Sequence, residues 1–208
     1  MTGRLEGPDY HISKARLETL VDGIFAIAMT LLVLGITPPK PPESLAPVTL
    51  TGMIADLLPQ VFLFIVAFLI LAMFWLGHHR QFHFVHRVDT PLVWINILLL
   101  ISIVFVPFST DVAGDYMDVL VAVLVFHANM FIIGLLFAIQ WRHICRHEHL
   151  CEPVPETDVI RHWFLRSALI PAVALIAGAV AIINPELSML AYLIIPAAAG
   201  LLRHLPSP

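Results

Sequence analysis

Asp22 is a carboxylate inside a stretch that is otherwise fit for a lipid bilayer. The stretch Arg16–Ile36, RLETLVDGIFAIAMTLLVLGI, carries Arg16, Glu18 and Asp22 in its first two turns and then no charge as far as Pro39. A carboxylate at the centre of a membrane helix costs about 2.5–3.5 kcal/mol on insertion scales, and less near the interface. Such a group faces protein or water. Two readings are open for it: a structural bond to a neighbouring helix, or a proton or cation site. Arg16 lies six residues earlier, about 120° around a helix, and is no natural partner. The donor should therefore sit on another helix, and His78 and Asn96 are candidates at similar depth.

Imidazoles and thiols form the second group. His79 and His83 are four apart, as are His143 and His147, a spacing that sets two rings on one helix face as a metal site needs. Cys145, His147, His149 and Cys151 crowd one short polar segment. Their spacing matches no standard zinc pattern, so the preferred reading is an interfacial cluster that supplements the arginines. Titration near neutrality would also suit a pH sensor. His127 stands apart in the middle of an apolar run. A hydrogen bond inside a bundle is the first reading for it, and a proton relay or ligand role the second.

The same opening stretch holds an aliphatic stripe. Leu20, Ile27, Thr30, Leu31 and Leu34 fall on one side of a helix, at offsets of three, four and seven. Taken alone, such a stripe is ordinary packing.

These residues need elements to position them, and the composition says which. Of 208 residues, 59% are hydrophobic and 12% charged, with a mean hydropathy of +0.90. This is an integral membrane protein, expected to be one all-α domain. Two cysteines give no disulfide framework, and an acid so early in the apolar run argues against a cleaved signal peptide. With about 20 apolar residues needed per span, six helices are expected, at about 17–36, 53–79, 91–108, 115–141, 160–183 and 187–203. The third should open on Pro91 and close at Pro107, Gly114-Asp115 should open the fourth, and Asn184-Pro185 should form a tight turn. Pro171 and Pro196 fall inside the last two helices, where neighbours can satisfy the freed carbonyls.

Six spans put both termini on one side. Every one of the 11 Lys and Arg residues except Lys40 then falls on that side, while Glu43, Asp56, Asp111, Asp115, Asp118 and Glu186 fall opposite. The positive-inside rule makes the basic side cytoplasmic. Every histidine but His127 lies there too.

The pattern Arg16-x3-Leu20-Val21-Asp22-Gly23, followed by FAIAMTLLVL, resembles the first-helix signature of the transmembrane protein 175 family, the potassium channels of endolysosomes and their bacterial relatives. The segment WLGHHRQF at 75–82, VDTPLVWIN at 88–96 and FVPF at 105–108 are similar to its second and third helices. The resemblance covers residues 16–110 and beyond them only the helix count. Arg16, Asp22, Trp75, His78 and Asn96 land on matching positions. Leu20 and Val21 replace the family's Phe and Ser, which removes a hydroxyl.

The resemblance implies a six-helix subunit, a homotetramer in the bilayer, and a pore for monovalent cations lined by the first helix. It has no carbonyl filter; aliphatic rings narrow the pore, here matched by Ile27, Leu31 and Leu34 with a Thr30 hydroxyl ring between. Such rings make an ion shed water to pass. The expected function is thus a potassium-permeable channel of a bacterial plasma membrane, with potassium as permeant ion and no cofactor. No activated nucleophile, phosphate loop or assembled metal motif suggests an enzyme. The alternatives are a proton-coupled transporter using Asp22 and His127, and a membrane haem protein with His127 as an axial ligand.

Overall fold

A computed structural model describes residues 13–37, 47–55 and 57–195. Among these, every regular element is helical, apart from one isolated bridge between Val85 and Cys151. The order is α1 (Lys14–Leu31), α2 (Pro47–Ala55), α3 (Leu58–His83), α4 (Thr90–Val104), α5 (Val106–Asp115), α6 (Leu120–Arg146), α7 (Thr157–Ala181) and α8 (Pro185–Met189). Three short 3-10 turns follow α1, α6 and α8, at Leu32–Gly35, Glu148–Leu150 and Leu190–Leu193. Five helical stretches among the described residues are long and apolar enough to cross a bilayer: Lys14–Gly35, Thr51–His83, Thr90–Asp115, Leu120–Arg146 and Thr157–Ala181. The far half of the expected sixth helix, with Pro196 and Arg203, lies outside the described residues, as do Arg4, Lys40, Glu43 and Asp56.

Caps explain several starts. Ser13 accepts from the Arg16 amide ahead of α1, Asp89 accepts from Leu92 N at 2.9 Å ahead of α4, and Asn184 accepts from Leu187 N at 3.0 Å ahead of α8. Pro91 and Pro185 occupy first turns, where a missing N–H needs no partner. The Asn184-Pro185 turn is therefore also the start of α8.

The third span corrects the sequence expectation. It does not close at Pro107, and Gly114-Asp115 ends α5 instead of opening the fourth helix. Pro107 sits in the first turn of α5. The ladder continues across the junction of α4 and α5, where Phe105 N bonds Ile101 O at 3.1 Å and Ser109 N bonds Phe105 O at 3.0 Å. A proline placed at a new first turn removes no bond that the helix needs. The fourth span accordingly begins at Leu120 and runs to Arg146. The second is broken between α2 and α3 and runs on to His83.

The core is built around α6, whose Phe126, Met130, Ile133 and Phe137 are buried against the other helices. Gly134 lets α7 approach at its internal proline. A Cβ at Gly134 would stand 2.9 Å from the Pro171 nitrogen and nearer still to its ring. A smaller cluster of Leu17, Phe82, Val85, Leu92, Trp141 and Ile144 closes the basic end. There the two loops pair through His86 N to Leu150 O, 2.7 Å, and Glu152 N to Phe84 O, 3.0 Å.

Candidate functional site

Asp22 takes its donor from another helix, though from neither His78 nor Asn96. The Trp75 indole Nε1–H on α3 donates to Asp22 Oδ1 at 2.8 Å. Both groups are exposed in the single chain. Arg16, one and a half turns earlier, is exposed as well, and neighbouring Val21 is buried in the core. With Val21 where the resemblance has Ser, that position contributes packing and no hydroxyl.

His78 and Asn96 belong to a separate, buried chain of polar groups. His78 Nε2 and Asn96 Oδ1 are 3.0 Å apart. The Asn96 amide donates to Gln140 Oε1 at 3.1 Å, and the Gln140 amide donates to Gln81 Oε1 at 2.9 Å. Gln81 reaches on to Phe137 O and Ser167 Oγ, both at 3.4 Å. Four helices, α3, α4, α6 and α7, are thereby tied through their interiors. His78, Gln81, Asn96 and Gln140 are each at most 2% exposed. In hydrocarbon such groups must satisfy one another, since water is absent. Sequence reasoning passed over Gln81, Gln140 and Ser167. The readable signal was an amide in an apolar run, which in a membrane helix marks a contact with another helix.

The first helix is covered on one side only. Leu17, Val21, Phe25, Ala28 and Leu32 are buried, while Leu20, Ile27, Leu31 and Leu34 stay exposed, Ile27 at 58% and Leu34 at 72%. Diametrically opposite the buried stripe lie Thr19, Gly23 and Thr30, also exposed. Thr30 Oγ1 donates to Ile27 O at 2.8 Å, so what the hydroxyl presents outward is its lone pairs.

Three further histidines have polar partners close by. His127 is buried, with Nδ1 3.0 Å from the Tyr192 hydroxyl and Nε2 2.9 Å from Ser188 Oγ. Both ring nitrogens are engaged, which leaves none to ligate a haem iron, and its partners lie far along the chain from Asp22. His143 Nε2 lies 2.9 Å from Asp89 Oδ2, and His147 Nδ1 donates to His143 O at 2.9 Å. Among the described residues no three or more His, Cys, Asp or Glu side chains gather as a metal site. Cys145 and Cys151 are both free thiols, and Cys151 Sγ donates to Ile144 O at 3.5 Å. Burial first, and Glu148 second, hold the Cys151 thiol above its ordinary value.

Five apolar spans among the described residues, with a polar chain sealed inside them, define a multi-pass, all-α membrane protein. The family model for "Endosomal/lysosomal potassium channel TMEM175" matches residues 16–107. A potassium channel of Streptomyces collinus is 34% identical over 158 residues, 74% of this chain and 75% of its own length. A potassium channel of Chamaesiphon minutus is 30% identical over 177 residues, 84% and 87% of the two chains. The crystal structure of a lysosomal potassium-selective channel TMEM175 homolog from Chamaesiphon minutus matches with a TM-score of 0.77 at 29% identity, covering 90% of this chain and 96% of that one. The chain belongs to the TMEM175 family.

Proposed function

We propose that this protein is a potassium-permeable cation channel of a bacterial plasma membrane, formed by four copies whose first helices line a single pore. The observation that carries this reading is the uncovered side of α1. It exposes a carboxylate at Asp22, hydroxyls at Thr19 and Thr30, and Gly23 between them. Lipid solvates none of these polar groups well, so that side calls for water or other copies of the chain. The two bacterial relatives are named potassium channels, which supplies the ion. The bias of basic residues supports cytoplasmic termini.

In this reading Ile27, Leu31 and Leu34 form successive aliphatic rings, and Thr30 sets oxygen lone pairs between them. An ion at the Ile27 ring loses hydration and gains no ligand. Potassium is the less strongly hydrated of the two common monovalent cations, so it crosses such a ring more cheaply than sodium. Trp75 holds α1 through Asp22, His78 and Asn96 tie the helices behind it, Arg16 lies at its basic end, and the permeant potassium is the one small partner required.

Ile27→Asn tests the assignment. Four amides at that ring would replace part of the lost hydration for both ions, so conductance should rise and the preference for potassium should fall. The assay is the reversal potential and single-channel conductance of purified protein in bilayers under bi-ionic potassium and sodium. A tetrameric Ile27→Asn protein with unchanged reversal potential and conductance removes Ile27 from the pathway.

A further inference from the structure

At the end of the bundle remote from the arginines, the last turn of α1 meets α3 and α5 around a small recess. It is lined by Leu32, Gly35, Ile36, Gln60, Thr110 and Asp111, among others, and its volume is about 10 Å³. That is room for one water-sized or monatomic guest. Its lining is mostly apolar, and the three polar side chains in it are Gln60, Thr110 and Asp111. Thr110 is only 7% exposed, and its hydroxyl has no hydrogen-bond partner among the described residues. The same holds for Gln60 Oε1. The Gln60 amide nitrogen is engaged, because Nε2–H donates to Asp115 Oδ1 at 2.9 Å. Asp111 stands at the rim, exposed. Its carboxylate leans over the backbone of Gly35 so closely that a Cβ there would lie 2.8 Å from Oδ1.

Orphaned buried oxygens are uncommon because each costs the hydration it has lost. Here two of them belong to residues that line one small recess together with the carboxylate-bearing Asp111, with no cationic side chain among the lining residues. A second carboxylate, Asp115, lies one turn along α5 from Asp111. Neutral oxygens joined to a carboxylate are the donor set of a hard cation. We propose that Gln60, Thr110 and Asp111 form a binding site for a hard, oxygen-liganded cation at the outer end of the first helix. The occupied site would tie Gly35 and Ile36, at the end of α1, to α3 and α5. It is built from packing around the outside of α1 and does not depend on where the permeation path runs.

The test is thermal unfolding of purified full-length protein in detergent, with the midpoint followed against cation concentration. One arm adds calcium to a fixed potassium background, and the other adds potassium to an N-methylglucamine background. Wild type should show a saturable rise in midpoint in one arm, which names the ion as divalent or monovalent. Asp111→Asn should raise the half-saturating concentration at least tenfold. Thr110→Val, which keeps the shape and removes the buried oxygen, should do the same, and Thr110→Ser should restore wild-type binding. Removing an idle buried hydroxyl would leave the response untouched, so Thr110→Val separates a ligand from a structural orphan. A flat response in both arms means that water alone fills the recess and overturns the proposal. So does a response that Asp111→Asn and Thr110→Val leave unchanged.

Discussion

Gln140→Leu should be among the most damaging single substitutions in the protein, although Gln140 touches neither Asp22 nor the uncovered face of α1. The amide is fully buried and sits between two partners. It accepts from Asn96 at 3.1 Å and donates to Gln81 at 2.9 Å. Interhelical hydrogen bonds in membranes average about 0.6 kcal/mol, because the groups left behind usually find other partners. That escape is closed here. Asn96 is 0% and Gln81 2% exposed, so neither can turn to water for a replacement partner. An orphaned buried group costs about 1–3 kcal/mol, so two of them give about 2–6 kcal/mol for Gln140→Leu. Gln81→Leu breaks the same central bond, and its other two bonds, at 3.4 Å, are long and weak. It should cost about 1–3 kcal/mol. The double variant loses the shared bond once, so its cost should fall short of the sum by about 1–2 kcal/mol. Equilibrium unfolding by a denaturing detergent in mixed micelles reads all four proteins. A Gln140→Leu protein within about 0.5 kcal/mol of wild type, or a strictly additive cycle, refutes the view of these amides as one sealed chain.

Asp22→Ala removes the acceptor of Trp75 at the base of α1, so tetramer yield and thermal midpoint should both drop. Normal assembly with potassium flux alone abolished would instead make Asp22 an ion site. The orientation is read at Cys145 and Cys151: an impermeant thiol reagent outside intact cells should label neither, and labelling there reverses the topology. In opened membranes Cys151 should react slowly near neutral pH. Burial, and then Glu148, push its thiol above the ordinary value, so its thiolate fraction near neutral pH stays under that of a free cysteine. A rate equal to free cysteine at pH 8 contradicts this.

The fold was legible because lipid leaves the chain few choices. Apolar length and charge bias are read directly from sequence, and they placed helices over Lys14–Leu31, Leu120–Arg146 and Thr157–Ala181 with ends displaced by two to five residues. Pro107 was misread because a proline says only that one amide is missing. Whether the helix stops depends on whether that amide would have been bonded, and at a new first turn it would not. Asp22 shows a similar limit. Sequence reasoning fixed the need for a donor on another helix, since a carboxylate in that stretch is costly. The choice among Trp75, His78 and Asn96 depends on rotation about α3 and α4. His78 lies three residues from Trp75, about 60° away around α3, and that angle turns it inward to Asn96. Gln140 and Gln81 carry no motif, so their pairing emerges only once four helices are packed.

In the proposed channel α1 lines the pore, which requires a helix held from one side, and α1 is buried along one stripe only. Its buried stripe of Leu17, Val21, Phe25, Ala28 and Leu32 is apolar throughout and tolerates small shifts along the core. Direction comes from the two ends. At the basic end, Trp75 grips Asp22 while Leu17 packs into the cluster with Phe82 and Trp141. At the other end, the 3-10 turn Leu32–Gly35 brings Gly35 under the Asp111 carboxylate. Between these points, Ile27, Thr30 and Leu31 bond to no neighbouring helix, and Thr30 turns its proton back onto its own helix. The polar chain through Gln140 lies on α3, α4, α6 and α7, so these buried hydrogen bonds are made without α1, which joins the core through apolar packing. That division leaves the free face of α1 open to substitution at Ile27 without disturbing the fold, which is the condition under which permeation variants of this chain can be interpreted.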